Sequence, residues 1–142
     1  MNQQNFKNHS RFVPLYHYVA LTLVLAILVG ASINLCYNAK HNTYSSWLIF
    51  ALSIIVALLW FFCRAFALQA QDRVIRAEEN FRYYILTGKQ LSSQLHIKQI
   101  VALRFASDEE LVALAQKAVA EQLSSKLIKQ AIVNWRGDYY RV

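Results

Sequence analysis

The side chains that could do chemistry are scattered along this chain, and no spacing among them assembles a reaction centre. The four histidines, His9, His17, His41 and His96, fall in segments of different character. None has a second ligand beside it, and a metal site needs several converging on one point. Glu78 and Glu79 are adjacent, so on a helix they point in different directions rather than sharing a proton. Cys36 and Cys63 lack the C-x-x-C spacing of metal or redox work. Thr87-Gly88-Lys89 resembles the end of a phosphate loop, but the upstream glycine is missing. It reads better as a helix stop, with Gly88 taking the left-handed conformation. Serines have no identifiable base partner. The chain is expected to be non-enzymatic, with no catalytic, cofactor-binding or metal-ligating residues.

The elements that carry these residues divide sharply by composition. Hydrophobic residues make up 56% of the 142 and charged ones 16%, against about 45–50% and about 25% in soluble domains. Positions 12–39 and 41–63 are uncharged, and every acidic residue lies at or after Asp72. This is a membrane composition. The net charge of +7 then follows from Lys and Arg collecting on the cytoplasmic side. With no run of basic residues, it does not point to nucleic acid.

About 20 helical residues cross a bilayer core of roughly 30 Å. Two stretches qualify, 15–37 and 46–68, leaving 1–14 and 69–142 as cytoplasmic regions and 38–45 as an external loop. Arg64 lies near the end of the second span and can snorkel. A cleaved signal peptide fits less well, because the first apolar stretch is too long and no A-x-A site follows. Leu35 before Cys36 also spoils a lipoprotein cleavage site. Lys7 and Arg11 before the first span, and Arg64, Arg73, Arg76 and Arg82 after the second, outweigh Lys40 and His41 between them. The positive-inside rule therefore places both termini in the cytoplasm. Tyr16, Tyr18 and Trp60 mark the inner interface, and Tyr37, Tyr44 and Trp47 the outer one. His17 reads as an anchor among these aromatics. Cys36 and Cys63 would lie a membrane thickness apart, beyond the roughly 4.4–6.8 Å a disulfide spans.

Matching the span midpoints sets Ala26 opposite Ala57 and Gly30 opposite Ser53. Thr22, Ala26, Gly30 and Asn34 recur every four residues, a small and polar stripe that would let helices approach closely in lipid. The expected packing residues are these four with Ser53 and Ala57, in the hairpin or in a homo-oligomer seam.

Past the membrane, Val74, Ala77, Phe81, Tyr84 and Ile85 share one helical face, with Arg73, Arg76 and Asn80 on another. Arg73, Arg76 and Arg82 are candidates for holding anionic lipid headgroups. The stretch 91–105 fits both helical spacing and strand alternation, and its length favours helix. Ser107-Asp108-Glu109-Glu110 has the form of a capping box, with Ser107 capping and Glu110 reaching back. Leu111, Leu114, Ala115 and Ala118 form the face of the helix that follows. Ser124 or Ser125 caps a last helix with the face Leu127, Ile128, Ala131, Ile132 and Trp135, ending at Gly137. Leu111, Leu114, Ile128, Ile132 and Trp135 are the candidate partner-docking residues. This helix pair also fits a helix-turn-helix with Lys126, Lys129, Gln130 and Asn134 as reading face. Asp108, Glu109, Glu110 and Glu121 nearly cancel the local basic charge, which argues against DNA.

The opening QNFKNHSRFVPLYHYV, the block IVALRFASDEELVALA and the ending IKQAIVNWRGDYYRV resemble a family of small bacterial two-span membrane proteins catalogued as a domain of unknown function. That resemblance implies the bacterial inner membrane and carries no activity. The expected fold is all-α, a transmembrane helical hairpin followed by cytoplasmic amphipathic helices. The expected role is an accessory or assembly subunit that docks a protein partner and contacts membrane lipid. The competing readings are a homo-oligomeric pore or holin-like protein and a membrane-tethered DNA binder.

Overall fold

The computed structural model describes residues 4–6, 8 and 12–139, with 38–41 described by backbone alone. Lys7, His9 and Arg11, and the side chains of Lys40 and His41, lie outside the described residues. The described chain is all-helical: α1 (Leu15–Tyr37), α2 (Asn42–Thr87), α3 (Ile97–Leu103), α4 (Asp108–Ala120) and α5 (Ser125–Ala131). α1 and α2 are both long and apolar enough to cross a membrane. α2 starts earlier than expected, because no Gly or Pro interrupts 31–45. The break falls at Asn42, with φ −149° and ψ 65°. α2 ends as expected: Gly88 has φ 69°, and its amide donates to the Tyr84 carbonyl at 2.7 Å.

The chain forms two compact units, Arg11–Ala67 and Met1–Ser10 with Leu68–Val142. In the first, a shielded line runs through Val24, Leu28, Ala31 and Leu35 of α1 and through Ser46, Phe50, Ser53, Ala57 and Trp60 of α2, with Ala20, Leu21, Ser32, Asn34 and Val56 half-buried beside it. Along that line, alternating steps of four and three keep one face turned to a neighbouring helix. Ala31, Ser46 and Ser53 are nearly inaccessible, at 4%, 2% and 2%. Asn34 Nδ2 donates to Ser46 Oγ at 3.3 Å. Tyr16 donates its hydroxyl to the Trp60 carbonyl at 2.6 Å and stacks on that indole at 5.1 Å.

Of the expected packing residues, Asn34, Ser53 and Ala57 are shielded, while the rest of the small-residue stripe is not the seam between the two helices. Thr22, Ala26 and Gly30 are exposed, and a Cβ on Gly30 would meet nothing within 4 Å. At about 100° per residue, steps of four drift by roughly 40° each, so the stripe winds around the helix instead of down it. Neither Ala26 with Ala57 nor Gly30 with Ser53 is therefore a packed pair. The Thr22 hydroxyl donates to the Tyr18 carbonyl of its own helix at 2.6 Å.

The second unit has a true core. Leu103, Phe105, Leu111 and Ile128 are buried to 1% or less, each contributing about 1.5–3 kcal/mol. The stretch 91–105 is helical over Ile97–Leu103 alone. Gln99 Oε1 accepts from the His96 amide at 2.7 Å and starts the helix there. Beyond it Ala106 bridges to Trp135 in antiparallel fashion, with the Arg136 amide on the Phe105 carbonyl at 2.7 Å. Within 91–105 the helical reading holds over Ile97–Leu103, and no described residue of the stretch is in a strand.

Two expectations about capping fail for one reason. Ser107 stands at the N-cap of α4, yet its side chain caps nothing, and its Oγ is buried with no hydrogen-bond partner. Glu110 does not reach back to it. Its carboxylate instead accepts from the amides of Val133 and Asn134 at 3.2 and 2.9 Å and from Asn134 Nδ2 at 3.0 Å. That clamp holds the chain extended from Ile132, so α5 ends at Ala131 and not at Gly137. Ser124 does cap α5, accepting from the Leu127 amide at 3.3 Å.

Candidate functional site

Apolar exposure dominates the Arg11–Ala67 unit. Leu23, Ile27, Ile33, Leu52, Ile55, Leu59 and Phe62 are all at least two-fifths accessible. Contiguous apolar surface of this kind marks an interaction site in a protein surrounded by water. At one end lies an aromatic cluster. Phe12 packs on His17 with centroids 4.4 Å apart, Tyr16 stacks on Trp60, and the Arg64 guanidinium lies 5.4 Å from the Tyr16 ring. A cation over an aromatic face contributes about 0.5–1 kcal/mol at an exposed site.

In the other unit the charged groups converge on Arg82. Its Nη1 pairs with Glu79 at 3.0 Å, its Nε with Asp108 at 2.6 Å, and its Nη2 donates to the Ala106 carbonyl at 2.7 Å. The guanidinium fork thereby ties α2 to the turn before α4. Burial pushes the Glu79 carboxyl above its ordinary range, opposed by the charge and hydrogen bond of Arg82. A second tie joins Arg104 Nε to Asp138 Oδ2 at 3.2 Å. A third joins the Gln4 side chain to the Asp138 backbone. Gln4 Oε1 accepts from the amide at 2.9 Å, and Gln4 Nε2 donates to the carbonyl at 3.1 Å.

The expected docking residues are corrected by their burial. Leu111, Leu114, Ile128 and Ile132 are 1%, 7%, 0% and 6% exposed, and Trp135 is half-buried against Phe105 at 5.2 Å. The four aliphatic residues are core and cannot meet a partner while the unit is folded, whereas Trp135 packs against that core and keeps part of its ring accessible. A helix too short to stand alone spends its apolar face on its neighbours first. Of the candidate headgroup residues, Arg73 and Arg76 are exposed. Arg82 is corrected, since its side chain is 11% exposed and fully engaged. The face of Val74, Phe81, Tyr84 and Ile85 is exposed. α2 meets its own core through Ile75, Glu79 and Tyr83 on the opposite side. In the helix-turn-helix reading, Lys126 and Gln130 are exposed, but Asn134 is held by Glu110.

Among the described residues, no three His, Cys, Asp or Glu side chains gather as metal ligands. A cavity of about 240 Å³ opens beside Tyr83, Leu91, Leu95 and Val119, with no charged side chain in its wall. The residues missed from sequence are Gln4, Glu79 and Asp138, with Glu110 assigned the wrong bond. Gln4, Asp138 and Glu110 bond to residues far along the chain, which no local spacing signals. Glu79 pairs with Arg82 three residues on, and what the sequence did not show is its burial.

A protein-family model described as a family of unknown function (DUF6526) matches residues 1–142, so the chain belongs to that family. No curated protein and no solved structure matches it.

Proposed function

We propose that this member of the family is a non-enzymatic protein of the bacterial inner membrane, crossing it twice as a hairpin formed by α1 and residues 46–68 of α2. Both termini lie in the cytoplasm, and residues 69–142 form a docking module of an accessory or assembly subunit. The exposed leucines, isoleucines and phenylalanines of the spans favour insertion by roughly 0.3–0.6 kcal/mol each. The observation that carries the topology is the pairing of Gln4 with Asp138. Gln4 precedes the first span and Asp138 follows the second, so a chain that spans the membrane with this contact intact crosses it an even number of times. The Arg64–Tyr16–Trp60 cluster suits the inner headgroup level, where amphipathic rings and a snorkelling arginine are stable. A pore is less well supported: Thr22 spends its hydroxyl on Tyr18, and Asn34 its amide on Ser46.

The test is alkaline carbonate extraction of the full chain, with thiol labelling of a Gln94→Cys variant by an impermeant maleimide. The protein should stay with the membrane, and the new thiol should react only from the cytoplasmic side. Release by carbonate, or labelling of that thiol from outside, would refute the reading. Native mass spectrometry of the solubilised protein then reports whether a defined polypeptide accompanies it, as docking requires.

A further inference from the structure

We infer that residues 70–84 of α2 pair in parallel with the same segment of a second copy of this chain. The inference rests on the membrane reading above, which fixes the two copies in the same orientation. Ala70, Val74, Ala77, Phe81 and Tyr84 follow one another at steps of four, three, four and three. All five are exposed, Val74, Phe81 and Tyr84 by 56%, 66% and 54%. On the opposite side Ile75, Glu79 and Tyr83 are 5%, 6% and 9% exposed. The helix is therefore already formed and held from behind, and its outward apolar stripe stays exposed among the described residues.

The four-and-three spacing is that of a helix–helix seam, and Ile85, 66% exposed, widens the face at its far end. Over two heptads a 3.5-residue and a 3.6-residue repeat differ by only about 40°, so the charges beside the stripe select the occupant.

Charge selects a second copy in parallel. Arg73 and Glu78 are exposed, flank the stripe on its two sides, and have no ion-pair partner among the described residues. In a parallel pair, a residue flanking one heptad meets the opposite flank of the next heptad on the neighbour, five residues on. Arg73 therefore faces the partner's Glu78, and two-fold symmetry repeats the contact. An antiparallel pair would set the Arg73 flank against itself and leave Glu78 unmatched. Two heptads are short for association in water. Here the helix is preformed, and confinement to a bilayer raises the effective concentration of copies.

The experiment uses the full chain in its own membranes, with Cys36 and Cys63 replaced by Ala. Under mild oxidation Ala77→Cys should form a covalent dimer at least roughly ten-fold faster than Arg76→Cys, which projects away from the seam. Arg73→Glu or Glu78→Arg alone should weaken dimerisation roughly three- to ten-fold, and the two together should restore it. Equal cross-linking at 76 and 77, a cross-link to a different polypeptide, or failure of the double reversal to restore the dimer would overturn the pairing. Carbonate fractionation of the same samples separates the two readings. A membrane-bound chain that does not cross-link refutes the pairing alone, and a cross-linked dimer in the soluble fraction refutes the membrane reading alone.

Discussion

Arg82 donates from Nη2 to the carbonyl of Ala106 at 2.7 Å, across 24 residues of sequence. Because its other nitrogens engage Glu79 and Asp108, one side chain fastens the long helix to the start of α4.

Removing that side chain should be costly. Arg82→Ala leaves the buried Glu79 carboxylate without its counter-charge and the Ala106 carbonyl without its donor. A loss of about 3 kcal/mol is expected, read as the urea midpoint followed by tryptophan fluorescence. Arg82→Lys should recover only part of it, since an ammonium cannot reproduce the fork. Full recovery with lysine would show that charge alone matters.

Ser107 and Glu110 should behave in opposite ways. Ser107→Ala removes a buried, unpaired hydroxyl and should be neutral or slightly stabilising, although loss of a working N-cap would cost about 1 kcal/mol. Glu110→Ala frees three donors at residues 133 and 134 and should cost about 1–2 kcal/mol. Amide exchange at Val133 and Asn134 should rise in the Glu110 variant alone.

In the Arg11–Ala67 unit, neighbouring small residues should tolerate size differently. Ala31→Leu forces bulk into the seam and should destabilise by about 1–3 kcal/mol. Gly30→Leu projects into open space and should leave thermal unfolding in detergent unchanged or slightly raised. A loss confined to Gly30→Leu would restore the stripe of every fourth residue as the contact face.

Glu79 should give the C-terminal unit a distinct pH dependence. Burial raises its carboxyl above the unfolded value, so the folded state holds the proton more tightly. Its contribution to stability is therefore full below the ordinary carboxylate range and declines as pH rises through the raised value. Acidification from neutral pH toward that range should stabilise the native protein relative to Glu79→Gln, which cannot titrate. Parallel stability–pH curves for the two proteins would exclude this linkage.

What the sequence determined by itself was local. Unbroken apolar length defined α1 and the first part of α2, Gly88 ended α2, and the run of acids after Ser107 placed the start of α4. Each signal lies within one or two helical turns, where spacing alone sets geometry. The tertiary structure decided how those elements spend their faces. Leu111, Ile128 and Ile132 look the same in sequence whether they bind a partner or one another, and only packing showed that they fill the core. On α2 the sequence marked Val74, Ala77, Phe81, Tyr84 and Ile85 as the apolar face, yet the core took Ile75 and Tyr83 and left Val74 and Phe81 exposed. Glu110 stands in the correct place for a capping box. It bonds instead to amides 23 and 24 residues away, because the Ala106–Trp135 bridge brings those unsatisfied donors beside it. Contacts of that range depend on how the whole unit closes, and no local spacing encodes them.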